Sequence, residues 1–392
     1  MSFHVFGIGT ASPPHAISQE HAVSLARQYG GESDEHQRQL KALYRLTRVR
    51  TRRSVLLESD SRDGTPRQSF FPAMQDAADR GPTTADRMAR YERDAPPLAA
   101  EAARAALTDA GLDASAVTHI VTVSCTGFAA PNFDVSLIRA LGLRWTVART
   151  HVGFMGCHGA LNGLRVAKAY ADSMPDAVVL VCAVELCSIH YQYGWNGDRL
   201  VANAIFADGA AAMVGGGRAL GAAGGAVTEA AAEMAGGAAD GSVGGAEAGP
   251  TGEWALTANG AALLEDSAEL MAWRIGNHGF EMVLSARVPG VIERELRPFL
   301  DNWLGAQGLS VADIATWAIH PGGPRILESC AQATGIGRED YAISQEVLGE
   351  FGNMSSPTIL FILDRLRRRQ APRPCVALGF GPGLAVEAAL FR

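Results

Sequence analysis

Apolar positions along the chain follow two alternating rhythms. Short apolar runs bounded by turn residues occur at Val5–Ile8, His119–Ser124, Ala177–Val184, Ala210–Val214, Thr316–Ile319 and Cys375–Leu378, and their length predicts buried strands. Between them, apolar residues recur three and four apart over Leu98–Ala110, Ala160–Ala171, Val291–Leu304 and Thr358–Arg369, which predicts helices. Strands alternating with helices of ten or more residues indicate an α/β fold with a mainly parallel sheet. The polar, proline-bearing stretch Arg62–Asp94 reads as a surface excursion. Gly215–Gly252 holds 13 Gly and 12 Ala in 38 residues; it reads as a mobile loop or loosely held hairpin without a catalytic role.

The pattern repeats. Gly111-Leu112, Val117 and the strand ending at Ser124 resemble Gly308-Leu309, Ile314 and the strand ending near His320, 197 residues later. Gly156-Cys157 heads a helix followed by a strand, as does Gly352-Asn353, 196 residues later. Two segments sharing one offset predict two duplicated α/β halves, residues 1–220 and 221–392, with the 215–252 insertion at their junction. Cys157 and Asn353 then occupy equivalent helix starts near a shared pseudo-twofold axis.

Composition narrows the function. With 392 residues, 34 Lys+Arg and 41 Asp+Glu, the net charge is −7 and no Lys/Arg-rich run of tail length occurs. Nucleic acid and anionic membrane surfaces are therefore unexpected partners, and small molecules are the expected ones. The longest clean apolar run is the eight residues Ala177–Val184, against the ~20 needed to span a bilayer. The start Met1-Ser2-Phe3-His4 lacks a secretory pattern, and six Cys without framework spacing suggest reduced thiols. A cytosolic protein is expected. There is no HExxH, Walker A or CxxC string, so metal catalysis has no support. Gly7-Ile-Gly9 resembles the opening of a dinucleotide loop, but Pro13-Pro14 block the helix that should follow.

Three residues could carry chemistry. Cys157 follows an extended segment and starts a helix, where backbone N–H groups favour thiolate; a small buried hydrophobe is the other reading. His320 ends a strand before Pro321-Gly-Gly-Pro324, where ligands of α/β sheets usually bind, although a lone His is often structural. Asn353 precedes Ser355 and Ser356 at a helix start, either as an amide donor or as an N-cap. Gly379-Phe380-Gly381-Pro382-Gly383 reads as a rigid turn that a ligand can approach closely. As a set, Cys157, His320 and Asn353 suit acyl-thioester chemistry.

The strings Trp317–Leu327 (WAIHPGGPRIL), Gly352–Asp364 (GNMSSPTILFILD) and Gly379–Gly383 (GFGPG) resemble the signatures of the type III polyketide synthases, the chalcone-synthase-like branch of the thiolase superfamily. The resemblance implies an αβαβα sandwich of two duplicated halves and a homodimer. It implies that Cys157 holds a starter acyl group from acyl-CoA and that His320 pairs with its thiolate. His320 and Asn353 then stabilise the enolate formed when malonyl-CoA loses CO₂. Phe206 matches an aromatic gatekeeper, followed by Ala207 where plant members have Gly. Met282, with Phe280 two residues away, matches a second. Cys125, Cys187 and His190 match pocket positions, Ser355 belongs with them, and 379–383 matches the cyclisation-pocket loop. Arg48, Arg50, Arg52 and Arg53 are implied candidates for CoA phosphates. Ala130 aligns with a bulky Met of plant enzymes and Ala129 with an Asp. With Cys187 they suggest a channel for a medium- or long-chain acyl starter and an alkylpyrone product, as does the bacterial-like context His151–Cys157. A malonyl-primed hydroxylated aromatic is the alternative product class. Other readings are a ketoacyl-synthase-III-like condensing enzyme, a papain-like hydrolase, which shares the order Cys, His, Asn, and an inactive binding protein of the same fold.

Overall fold

The structure, a computed structural model, describes residues 2–30, 33–59, 67–217 and 253–392. Its strands are β1 (Phe3–Ala11), β2 (Ala16–Ser18), β3 (Thr51–Arg53), β4 (His119–Ser124), β5 (Ala148–Gly153), β6 (Val178–Leu186), β7 (Asp208–Gly216), β8 (Trp254–Leu263), β9 (Met271–Gly276), β10 (Gly279–Leu284), β11 (Thr316–Ile319), β12 (Cys375–Gly381) and β13 (Ala385–Phe391). The helices are α1 (Gln19–Ala26), α2 (Asp34–Leu46), α3 (Thr84–Ala110), α4 (Phe133–Leu141), α5 (Gly159–Ser173), α6 (Gly197–Ile205), α7 (Val288–Gly305), α8 (Pro324–Thr334), α9 (Ala342–Phe351) and α10 (Pro357–Arg368).

One ladder runs β11-β12-β13-β8-β1-β7-β6-β4-β5. Its centre is the short antiparallel seam of Phe3–Val5 with Trp254–Leu256. Outward from that seam the order β1, β7, β6, β4 on one side repeats as β8, β13, β12, β11 on the other. The directions repeat too: β4–β6 and β11–β12 are parallel, β6–β7 and β12–β13 antiparallel. The duplicated α/β halves expected from the offset are observed, but the expected mainly parallel sheet is not: only β4–β5, β4–β6 and β11–β12 pair in parallel, and the other pairs of the ladder are antiparallel.

Side-chain alternation explains the layers, because successive strand residues face opposite sides. Val179, Val181 and Ala183 of β6 enter a central core with Leu161 and Leu164 of α5, Ile359 and Leu363 of α10, and Ala377 of β12. Leu180, Cys182 and Val184 face the other way, onto Ala99, Ala103 and Leu107 of α3 and Leu137 of α4. In the second half, Val376 and Leu378 pack on Ile292 and Leu296 of α7 and Leu327 of α8. Two helical outer layers, two half-sheets and a central pair of helices make the αβαβα sandwich. The two central helices are those that follow Cys157 and Asn353.

Several local expectations are corrected. Leu98–Ala110 is only the end of α3, which begins at Thr84 and runs through Pro96 and Pro97. A capping box of Thr83 with Asp86 starts the helix, and the buried Arg87, Tyr91 and Ala95 hold the turns before the prolines. Residues 84–94 are therefore the first turns of α3, with Arg87 and Tyr91 buried, and not an irregular surface excursion; of that stretch, 62–66 lie outside the described residues. Gly215 and Gly216 complete β7, pressed against Phe3 and Phe6, and the 218–252 part of the expected loop lies outside the described residues. Gly379–Gly381 are strand, and only Pro382–Leu384 form a short 3₁₀ turn. Asn353 is not an N-cap: α10 starts four residues later, with Ser356 at its cap position.

Candidate active site

Cys157 lies in a single 3₁₀ turn, Gly156–His158, leading directly into α5. Asn353 is held by a parallel bridge to Phe206: its N–H donates to Ile205 O (2.8 Å) and its carbonyl accepts from Ala207 N (2.9 Å). The side-chain Oδ1 of Asn353 accepts from Ser355 N at 2.8 Å. That bond commits the oxygen to the backbone and leaves the Nδ2 amide as the group facing the site. The Asn353 amide and the Ser355 hydroxyl both act to lower the pKa of the Cys157 thiol, and Ser355 also meets Cys125 Sγ at 3.4 Å. Ser355 reaches both sulfurs from a left-handed backbone conformation (φ 57°).

His320 follows β11, its N–H donating to Leu378 O of β12 at 2.8 Å. The ring is 1 % exposed, yet neither Nδ1 nor Nε2 has a partner among the described residues. An unsatisfied buried imidazole is costly, and here it borders a space lined also by Cys157, Asn353, Phe206, Met282 and Phe380. Burial, with the neighbouring His158 adding to it, pushes His320 down to about 3. Burial pushes the Cys157 thiol up to about 11, against the lowering by Ser355 and Asn353. In each group the loss of water around the charged form is the larger effect, opposing the helix-terminal stabilisation of thiolate.

Three spaces meet here. That holding His320 measures about 410 Å³. A second, about 310 Å³, is bounded by Cys125, Cys157, Ser355, Met271 and Pro382. The largest, about 890 Å³, contains Cys187 and His190 in its wall. Phe206 and Met282 line all three. Phe280, two residues from Met282, lines only the largest and stacks on His190 with centroids 4.1 Å apart. His190 spends both nitrogens on the protein: Nε2 donates to Thr126 O (2.7 Å) and Nδ1 accepts from Phe280 N (3.0 Å). It anchors the β9–β10 hairpin and offers a substrate only its ring.

Other expected site residues lie elsewhere. Ala129 and Ala130 line none of these spaces, and Ala130 is exposed. Gly379 and Gly381 face His158 instead of a cavity; a Cβ on Gly381 would sit 2.2 Å from His158 Cδ2, so the glycines make room for that ring. Gly383 sits in the 3₁₀ turn at φ 80°. Arg52 is buried and donates to Asn203 O (2.6 Å) and Phe206 O (3.1 Å), bracing the Phe206 backbone. Arg53 donates to the carbonyls of Pro13 and Pro14. Arg52 is thus turned inward, while Arg53 commits one nitrogen to those carbonyls. Arg48 pairs with Glu328 and Arg50 with Glu350 at the surface.

Three features escape the sequence reading. Glu185 is fully buried and accepts from Ser356 Oγ (2.6 Å), Thr126 Oγ1 (2.7 Å) and Cys125 N (2.9 Å), clamping the Cys125 and Ser355 loops together; burial raises its pKa. Its signal was one carboxylate in an otherwise apolar strand. His158, Asn162 and Glu387 form a chain, with His158 Nδ1 2.6 Å from Asn162 Oδ1 and Asn162 donating to Glu387 at 2.9 Å. The i, i+4 spacing of His158 and Asn162 was its clue. Third, Arg287, Arg294 and Arg325 line a surface cleft, and Ile326, next to Arg325, borders the space holding His320.

Comparison with known proteins places this geometry. Residues 2–218 match the family of chalcone and stilbene synthases, N-terminal domain, and residues 255–392 match the C-terminal domain of the same. The chain is 30 % identical over 389 residues to the alpha-pyrone synthesis polyketide synthase-like Pks18 of Mycobacterium tuberculosis, covering 98 % of this chain and 90 % of that protein. It is 32 % identical over 395 residues to the 1,3,6,8-tetrahydroxynaphthalene synthase of Streptomyces peucetius subsp. caesius, covering 99 % and 92 %. The crystal structure of PKS-I from the brown alga Ectocarpus siliculosus superposes with a TM-score of 0.84 at 29 % identity, covering 100 % of this chain and 98 % of that one.

Proposed function

The chain belongs to the chalcone and stilbene synthase family, the type III polyketide synthases of the thiolase superfamily, and from that membership we propose that it extends a medium- or long-chain aliphatic acyl-CoA starter on Cys157 with malonyl-CoA units and releases an alkylpyrone. Membership removes the ketoacyl-synthase-III-like and papain-like readings. The observation that carries the proposal is the convergence of Cys157, His320 and Asn353 on one largely apolar space.

The steps follow from the groups present. His320, neutral and unpartnered, takes the Cys157 proton as the sulfur attacks the starter carbonyl. The coenzyme A thiolate leaves and takes that proton, and the acyl group remains as a thioester. Malonyl-CoA then loses CO₂, and the electron pair of the broken C–C bond becomes an enolate. The Asn353 amide N–H and His320, in the tautomer with its proton on Nε2, donate to the enolate oxygen. The enolate carbon attacks the Cys157 thioester and expels the thiolate, lengthening the chain by two carbons. For each further round the Cys157 thiolate takes the chain back from the β-ketoacyl-CoA and releases the coenzyme A thiol, and at the end an enol oxygen attacks the terminal thioester carbonyl, expels its thiol and closes the pyrone.

The CoA phosphates are assigned to Arg325, exposed next to Ile326 of the space containing His320, with Arg287 and Arg294 of the same cleft able to join it by exchanging their surface pairs with Glu269 and Glu295. The aliphatic starter is supported by the apolar walls beyond Phe206 and by the likeness to an alpha-pyrone synthesis protein. No helix among the described residues is long and apolar enough to cross a membrane. Two copies are proposed to associate through the face carrying Phe128, beside Ala129 and Ala130.

The test is incubation with malonyl-CoA and acyl-CoAs of graded length, with products and the acylated peptide read by mass spectrometry. Acylation of Cys157 and pyrones rising with chain length are expected. Acyl groups on Cys125 or Cys187, or hydroxylated aromatics formed from malonyl-CoA alone, would overturn the assignment.

A further inference from the structure

Beside Cys157 lies a second imidazole that the steps above leave unused. His158 ends the 3₁₀ turn that carries Cys157 and stands at the start of α5, yet its side chain caps no helix N–H. Its ring lies instead on the backbone of β12, against Gly379 and Gly381, and is 2 % exposed. Gly379 is the position next to His320. Ile319 pairs with Leu378 in the last step of the β11–β12 register, and His320 N donates to Leu378 O, carrying that register one residue further. Because side chains alternate along strands, His320 and Gly379 face the side of Ala318 and Ala377, toward the central helices. The His158 ring fills the space that Gly379 leaves, and two buried imidazoles stand side by side on one face of the sheet.

The two rings differ in what supports a charge. Asn162, one turn along α5, directs its amide N–H to Glu387 Oε1 at 2.9 Å, since a carboxylate only accepts. Its amide oxygen therefore faces His158, and the 2.6 Å contact with His158 Nδ1 needs the proton on that nitrogen. This leaves the Nε2 lone pair of His158 for a second proton. Glu387, the cross-strand partner of Gly379, pairs in turn with Arg165. His320 has no such support, because neither of its ring nitrogens has a partner among the described residues. The groups facing His158 are Arg165 and Asn162 from its own helix, Glu387 from β13, Cys157 before it and His320; β12 offers only glycines. Like charges this close strongly disfavour the second protonation, so the pair holds at most one proton. Burial lowers the pKa of both rings, but Asn162 opposes this at His158, whereas His158 adds to the lowering at His320.

Resting on the function proposed above, we propose that His158 is a positioning residue for His320: it takes, on Nε2, the one proton that the pair can hold, and so keeps His320 uncharged and able to accept the proton of Cys157. That proton comes from solvent. His158 lines none of the three spaces and acts only through His320.

The experiment uses the full chain with nitrogen-15 in its histidine rings. Long-range proton–nitrogen correlation spectra read the tautomer and charge of each ring, with His158 assigned through His158→Phe and His320 through His320→Gln. Neutral His158 is expected with its proton on Nδ1, and as the pH falls it gains a proton before His320. In His158→Phe, which keeps a ring on the glycines but cannot titrate, the His320 titration and the acid limb of Cys157 acylation should both move up by about one pH unit. A neutral His158 with its proton on Nε2, a His320 that protonates first, or a His320 midpoint equal in the two proteins overturns the inference. So does a fall in acylation by the same factor at every pH, which marks ring packing alone. Should His158→Phe fail to fold, Asn162→Leu keeps both rings and cuts the link to Glu387; it should bring the two midpoints closer together, and midpoints that stay where they are overturn the inference. Absence of acyl transfer to Cys157 from any starter defeats the proposed function, while the ring spectra need no substrate and still decide where the pair holds its proton.

Discussion

At the scale of single residues, the site is governed by burial more than by pairing. A helix start and a nearby histidine suggest an activated thiolate, and both features are present around Cys157. Yet burial favours the uncharged form of each group, pushing the thiol up to about 11 and His320 down to about 3, which predicts a neutral resting pair. The consequence is visible in alkylation kinetics. Iodoacetamide should modify Cys157 slowly at neutral pH, with a rate rising about tenfold per pH unit from 7 to 9 and an inflection near 11, above the usual thiol range of about 8.5. A stable ion pair would instead give a rate independent of pH between about 5 and 8; observing that plateau, by peptide mapping of Cys157, would refute the neutral resting state. Cys157, His320 and Asn353 were legible because each sits beside a structural punctuation mark: a strand end, a helix start, a glycine or proline turn. Glu185 and His158 were not, because their partners lie across the fold and leave no local pattern.

At the scale of elements, legibility followed the hydrophobic period. β4 and β11 were placed to the residue, since each is a short apolar run with turns at both ends. The start of α3 was missed because two prolines suggest a helix boundary, and only burial of Arg87 and Tyr91 by distant segments overrides them. Arg52 was misassigned for a related reason: an arginine in an exposed-looking RVRTRR string is buried once β3 packs beside Phe206. The arginines better placed for phosphate belong to the N-terminal ends of α7 and α8. Arg325, exposed in the first turn of α8, sits where backbone N–H groups already favour an anion. Arg325→Glu should raise KM for acyl-CoA about tenfold or more by reversing one charge at the phosphates, while the same acyl group on N-acetylcysteamine, which has no phosphate, keeps its kcat/KM. An equal loss for both thioesters would show that the substitution acts on folding or chemistry and not on phosphate binding.

At the scale of the whole molecule, the ladder has two ends of different character. β11 closes one end as a strand of four buried residues, whereas β5 at the other end is largely exposed along its length. An exposed edge is a template for further pairing unless something covers it. Large apolar side chains gather around this edge: Trp145 just before β5 is 75 % exposed, Met155 just after it 38 %, and Phe128 48 %. Phe128 also stacks on Phe280, a wall residue of the space of about 890 Å³ that holds Cys187 and His190, so whatever covers this face supports that space from outside. A second copy of the chain fits best, because a twofold axis brings the same patch against itself and covers both edges at once. The symmetry makes the test sensitive. Phe128→Arg introduces its charge twice per dimer, into a contact that must desolvate both copies, at a cost of several kcal/mol. Sedimentation velocity should show a dimer for the wild type at micromolar concentration, and for the variant a dimer dissociation constant raised more than a hundredfold. The loosened β9–β10 hairpin should also lower the preference for long starters, because Phe280 loses its outer support. A wild type that sediments as a monomer, or a variant that remains dimeric, would rule this face out as the interface.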